Sequence, residues 1–111
     1  MLNHQRLRCY EHSLLLAKKL PSLVRKWPIG SYYLADQLKR ALASVNLNIA
    51  EGNGRSGLKD RARFFAIARG SATEVSAIID IANAYNMIDS SSYEEFQDRL
   101  LQIVKILYKL Q

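Results

Sequence analysis

A lone cysteine, Cys9, has no partner for an internal disulfide, so the fold must rest on packing and the chain suits a reducing cytoplasm. Two prolines and five glycines are too few for a collagen-like or linker-rich chain. Long apolar runs are missing too. Stretches such as 14–17 fall far short of a membrane span or a secretory core. Histidine is limited to His4 and His12, and neither closes a Glu-x-x-His motif, which excludes a di-iron carboxylate bundle and leaves no metal or cofactor to expect. No repeat, low-complexity tract or linker divides the 111 residues, so residues 1–111 are expected to form a single domain.

What the chain has in excess is positive charge: 16 Lys and Arg against 10 Asp and Glu, a net +6. The excess is lopsided. Residues 1–70 carry 13 basic and 4 acidic side chains, residues 71–111 carry 3 and 6. A basic face attracts RNA or DNA by releasing condensed counterions. The same excess also serves solubility, or supplies complementary faces for subunit contact.

Apolar residues recur three and four apart in four segments, the period of a helix. The first spans about 7–26, with Tyr10, Leu14, Ala17, Leu20 and Val24 on one side. Pro21 lies inside it and predicts a kink or restart, with Leu20 pushed toward extended geometry. A connector at 27–31 follows. The second helix, about 32–51, aligns Leu34, Leu38, Ala41, Leu42, Val45 and Ile49. The third, about 58–85, is expected to bury Phe64, Ile67, Ala68, Val75, Ile78, Ile79 and Ala82, with Asn86 closing it in the left-handed conformation. Ser91 or Ser92 opens the fourth as a capping box with Glu94 or Glu95, and Phe96, Leu100, Ile103, Leu107 and Leu110 form its seam. Connections this short make neighbours antiparallel. The expected fold is all-α, an antiparallel up-down-up-down four-helix bundle.

The segment "NIAEGNGRSG", 48–57, contains G-x-G-x-x-G at Gly52, Gly54 and Gly57. That fingerprint holds a dinucleotide only between a strand and a helix of a βαβ unit. Here a helix precedes it and no parallel sheet can form, so nucleotide binding by this motif is rejected. Gly52 is expected to end the second helix, with Gly54 and Gly57 permitting the reversal. Upstream, Gln37, Arg40, Ser44, Asn48 and Glu51 form a polar stripe. A hairpin turning near 54–57 sets position 40 opposite about 71 and 37 opposite about 74. Arg40 is then placed to meet Glu74 near Ser71, and Glu51 to meet Arg55 or Arg63. Charges partly buried at such a seam need partners. The stripe is therefore read as an interhelical or intersubunit network.

"QLKRALASVNLNIAEGNGRSG", followed by "FFAIARGSATEVSAIIDIA", resembles the four-helix-bundle proteins encoded within intervening sequences of bacterial 23S rRNA genes. The family pattern is close to Q-x-x-R-A-x-x-S-x-x-x-N-I-A-E-G-x-G-R, then I-A-x-G-S-x-x-E. Its positions fall on Gln37, Arg40, Ala41, Ser44, Asn48, Ile49, Ala50, Glu51, Gly52, Gly54 and Arg55, then Ile67, Ala68, Gly70, Ser71 and Glu74. The resemblance extends from about Tyr10 to the C-terminus. It departs at Gly30, which stands where the family carries an acidic residue, in a connector one residue short. Asn86 replaces a glycine, and Pro21 is unusual. The resemblance implies a ring-shaped homopentamer without established enzymatic activity. A related bundle, the accessory protein of diversity-generating retroelements, also forms pentameric barrels and binds nucleic acid, an analogy between folds.

Two functions follow as expectations. One is a non-enzymatic cytoplasmic oligomer that binds RNA or other nucleic acid through Lys39, Arg55, Lys59, Arg61, Arg63 and Arg69, with Arg25 and Lys26 as outer members. The other is a protein-interaction module in which Gln37, Arg40, Ser44, Asn48, Glu51, Ser71 and Glu74 build a homo-oligomeric interface. A helical RNase of the HEPN type uses R-x(4–6)-H. Arg6 and His12 fit that pattern formally, but so short a pattern arises by chance and lies away from the distinctive motif. Cys9 has only His12 nearby as a base and is read as inert.

Overall fold

A computed structural model describes residues 2–110. Four helices make up nearly all of it: α1 (Leu2–Arg25), α2 (Tyr32–Gly54), α3 (Leu58–Ala84) and α4 (Ser90–Leu110). Among the described residues there is no strand. The arrangement is antiparallel, as contacts between helices show. Across α1 and α4, Cys9 meets Ile103, His12 meets Arg99 and Lys19 meets Glu95, so one number falls as the other rises. Ser44 meets Ser71 while Gly52 meets Phe65 across α2 and α3, and Ser76 meets Gln97 while Asp80 meets Tyr93 across α3 and α4. Each helix packs on two neighbours, and the diagonal pairs do not approach. The result is an up-down-up-down bundle 45 Å long.

Each helix buries a seam at alternating spacings of three and four, which lets side chains of adjacent helices interlock. In α2 the buried set is the expected one, joined by Gly52. In α4 it is Phe96, Leu100, Ile103 and Leu107 as expected, with Leu110 half-buried and Ile106 added. The seam of α1 differs from expectation. It runs Cys9, Ser13, Leu16, Leu20, Leu23 and on to Trp27 in the connector, while Leu14 is exposed. Ser13 is affordable there because its hydroxyl donates to the Tyr10 carbonyl at 2.7 Å. In α3 the register is also shifted. Phe65, not Phe64, enters the core, followed by Ala68, Ala72, Val75, Ile79 and Ala82, and Ile67 is exposed.

Pro21 does not break α1, and Leu20 remains helical. The proline is exposed while Leu20 and Leu23 are buried beside it, so their burial holds the helix across one missing hydrogen bond on its water side. The chain turns at Gly30, whose φ of 102° suits glycine and strains other residues. At the end of α3, Asn86 adopts φ 58°, with Asn86 N–H donating to Asn83 and Met87 N–H to Ala82. That pair of bonds closes the helix as expected. The start of α4 is corrected. The Asp89 carboxylate accepts from Ser92 N–H at 3.1 Å, so the cap is Asp89 and the helix begins at Ser90. A charged acceptor at the positive end of the helix prevails over the serine hydroxyls.

Gly52 does not end α2. The helix continues to Gly54, and Arg55 caps it in extended geometry. Gly52 faces the core, where a Cβ would lie 2.5 Å from the Phe65 ring. Glycine is needed here for close approach, not for a turn. Gly54 and Gly57 have no positive φ and meet open space or ordinary contact. The reversal is made instead by extended backbone at Arg55 and Gly57, with ψ near 140° and 135°. Because α2 continues past its expected end, the α2–α3 register moves by roughly one turn from the expected pairing.

Candidate nucleic-acid interface

The topology decides where the charge lies. Antiparallel packing brings the start of α1, the α2–α3 turn and the end of α4 to one end of the bundle. With each helix divided at its midpoint, that half holds Arg6, Arg8, Arg55, Lys59, Arg61, Arg63, Arg69, Lys105 and Lys109 against Glu11, Glu51 and Asp60. The other half holds seven cations and seven acids. The entire net side-chain charge of +6 therefore sits in one half.

At the α2–α3 turn the arginines are held by neighbours. Arg55 pairs with Glu51 at 2.9 Å and with Asp60 at 3.5 Å, and Arg63 pairs with Asp60 at 2.9 Å. The Arg61 guanidinium donates twice to the Arg55 carbonyl, each bond 3.1 Å. Phe64 is half-buried because the Arg55 and Arg63 guanidinium groups cover its ring, 4.8 and 4.6 Å from its centroid. These ion pairs are solvent-exposed, worth at most about 1 kcal/mol each, so they orient the cations and leave them free to exchange partners. The expected Glu51–Arg55 pair is present, while Arg63 takes Asp60 in place of Glu51.

Lys59 is exposed and in no ion pair among the described residues, and Arg69 lies 5.1 Å from the Tyr108 ring centroid. Lys39 stands apart from this group, about 24 Å along α2 from Arg55 at ~1.5 Å per residue. Arg25 and Lys26 lie at the opposite end of the bundle. Sequence reasoning passed over Arg8, Lys105 and Lys109, which the fold brings to the basic end. The signal was available: in an up-down-up-down bundle both termini share an end with the middle turn.

The polar stripe lies at the outer seam of α2 and α3. The Ser44 and Ser71 hydroxyls are 2.7 Å apart, and the Asn48 amide donates to the Ser44 carbonyl at 2.8 Å and reaches its hydroxyl at 3.2 Å. Arg40 and Glu74 do not meet: both are exposed, and no ion pair joins them among the described residues. The register shift and their exposure explain this. Gln37 is exposed as well, and Leu47, Ile67 and Ile81 stand uncovered on the same two helices.

A profile of the 23S rRNA-intervening sequence protein family matches residues 5–109. The chain belongs to this family. Comparison with curated proteins gives no match. The matched span holds all of the basic end and the whole polar stripe of this intervening-sequence family member.

Two further groups of this family member, Cys9 and His12, have shifted proton affinities. Cys9 is fully buried, and burial pushes its thiol up to about 12, so no thiolate forms near neutral pH. The His12 ring nitrogen Nδ1 lies 3.2 Å from Arg99 Nη1. Burial first, then the charges of Arg99 and Arg8, lower its proton affinity, so the neutral ring accepts from Arg99. Among the described residues no group of three His, Cys, Asp or Glu is placed to hold a metal ion, and no helix is long and apolar enough to cross a membrane.

Proposed function

We propose that this protein is a non-catalytic cytoplasmic oligomer that binds RNA, or nucleic acid more broadly, through the basic end of its bundle. The observation that carries this reading is the concentration of the whole +6 in one half of the molecule. Cations gathered on one end track a phosphate backbone without a deep pocket, and repetition of that end in an oligomer multiplies a weak contact. Fluorescence anisotropy with structured RNA tests it. About five phosphate contacts per protomer, made to the single-stranded loops of such an RNA at ~0.7 per contact, give a slope near −3.5 in log affinity against log salt. Affinity then falls roughly a hundredfold between about 50 and 200 mM salt. Absence of binding at the lower salt sinks the reading.

A second reading, a homo-oligomerisation module, is favoured by the outer α2–α3 seam. Arg40 and Glu74 find no partner in each other within the protomer, and Leu47, Ile67 and Ile81 are exposed beside them. A neighbouring copy satisfies both at once, in keeping with the pentamer implied by the family resemblance. Arg40→Ala and Glu74→Ala are expected to lower the mass measured by light scattering. An unchanged mass for both variants counts against it.

A further inference from the structure

Beyond the turn arginines, the basic end contains a second feature, a cleft of about 320 Å³ between the start of α1 and the last turns of α4. Its walls carry three cations, Arg8, Lys105 and Lys109, and two carboxamides, Gln5 and Gln102, over an apolar floor at Ile106. Among the described residues no acidic side chain lines it, and none of the three cations is in an ion pair. This sets the cleft apart from the α2–α3 turn, where Glu51 and Asp60 already occupy Arg55 and Arg63.

We infer that this cleft binds one nucleotide unit, phosphate and base together. The step rests on the reading above that the basic end meets nucleic acid, and it names where a strand is gripped. Three cations lining one cleft attract the negative charge of a phosphate. A carboxamide both donates and accepts, as the edge of a nucleobase does, and an apolar floor accepts the face of a flat ring. Inorganic phosphate alone leaves the carboxamides and Ile106 unused. The volume is at the lower end of ligand pockets, of the order of 300 Å³, which suits a single nucleotide and shuts out a duplex. A nucleotide of a single strand and a free nucleoside monophosphate share this chemistry.

The test is a heteronuclear NMR titration of the intact protein with adenosine monophosphate, inorganic phosphate and a single-stranded RNA hexamer in separate arms. Shifts are expected at Gln5, Arg8, Gln102 and Lys105 with a nucleotide ligand. The Lys105→Gln, Lys109→Gln double variant is expected to weaken its binding by about tenfold or more, as two charge-assisted contacts are lost. The Lys26→Gln, Lys39→Gln double variant removes equal charge elsewhere and is expected to change it less than about twofold. A response to the monophosphate alone identifies a free nucleotide as the ligand; a response to the hexamer alone identifies a strand. Equal losses in both double variants overturn the cleft, as does phosphate binding as tightly as the monophosphate. RNA binding without shifts at these residues removes the cleft and leaves the basic-end reading standing. Monophosphate binding without any RNA binding does the reverse.

Discussion

Replacing Gly52 by alanine sets two effects of opposite sign against each other. In a helix interior alanine is favoured over glycine by about 1 kcal/mol. At this position the new Cβ lies 2.5 Å from Cε1 and 2.8 Å from Cδ1 of Phe65, whose side chain has no exposure. The ring has no solvent to swing into, and close-packed surroundings resist a shift of the helix axis. Overpacking of this kind costs roughly 1–3 kcal/mol, and so severe a contact belongs at the upper end. The difference is a net loss of about 1–2 kcal/mol, which lowers Tm by roughly 4–15 °C in a domain near this size. Thermal unfolding by circular dichroism measures it, at one fixed protein concentration because the Tm of any oligomer depends on concentration. The cause is isolated by repeating the change in a Phe65→Leu background. There the clash is relieved, and Gly52→Ala is expected to be neutral or stabilising, a coupling of at least about 1 kcal/mol. Wild-type stability for Gly52→Ala with no coupling to position 65 refutes the close-approach account.

Gly70 supplies the contrasting case: a Cβ there meets nothing within 4 Å in the middle of α3, so Gly70→Ala is expected to raise stability by about 0.5–1 kcal/mol in urea unfolding. The Cys9 thiol, held near pKa 12 by burial, is expected to resist thiol reagents at pH 8 in the native protein and to react promptly in denaturant. His12 binds its proton less tightly in the folded protein than in the unfolded chain, whose histidine titrates at 6.5. The neutral ring's contribution is therefore full above that pH and declines as pH falls from 6.5 toward the lowered folded value. Urea midpoints at pH 7.5 and 5.5 should differ more for wild type than for His12→Gln.

The fold was legible because α2 and α4 carry strong apolar seams of leucine, isoleucine and phenylalanine. The seams of α1 and α3 were harder to read for a physical reason. Two of the α1 core positions are Cys9 and Ser13, one small and one polar, and three in α3 are the alanines 68, 72 and 82. Small residues permit close helix packing but give a weak periodic signal, so Leu14, Phe64 and Ile67 looked like core. Phe64 looked apolar in sequence and is instead the platform for Arg55 and Arg63. The end of α2 was misplaced because glycine has two uses, left-handed turns and close approach, and only the position of Phe65 distinguishes them. Partners for charged groups were the least legible. Glu51–Arg55 follows from helical spacing alone, whereas Arg40 and Glu74 depended on a register that moved by a turn.

The charge pattern also changes meaning between sequence and fold. Read linearly, the boundary near residue 70 separates a basic part from an acidic one. In the bundle Lys105 and Lys109 return to the basic end, while Lys18, Lys19 and Lys39 join the acids from Glu74 to Asp98 at the other. The polarity thus runs along the 45 Å axis. This constrains how an oligomer can use it. Copies related by a rotation axis parallel to the helices place every basic end on one rim, a single surface on which weak contacts add along one strand. Copies related by an axis across the helices place those ends on opposite faces, where one short strand reaches only half of them. A cyclic assembly therefore gains from this charge arrangement and a dihedral one largely forfeits it. The length of RNA needed for tight binding distinguishes the two: a strand just long enough to follow one rim suffices in the first case and fails in the second.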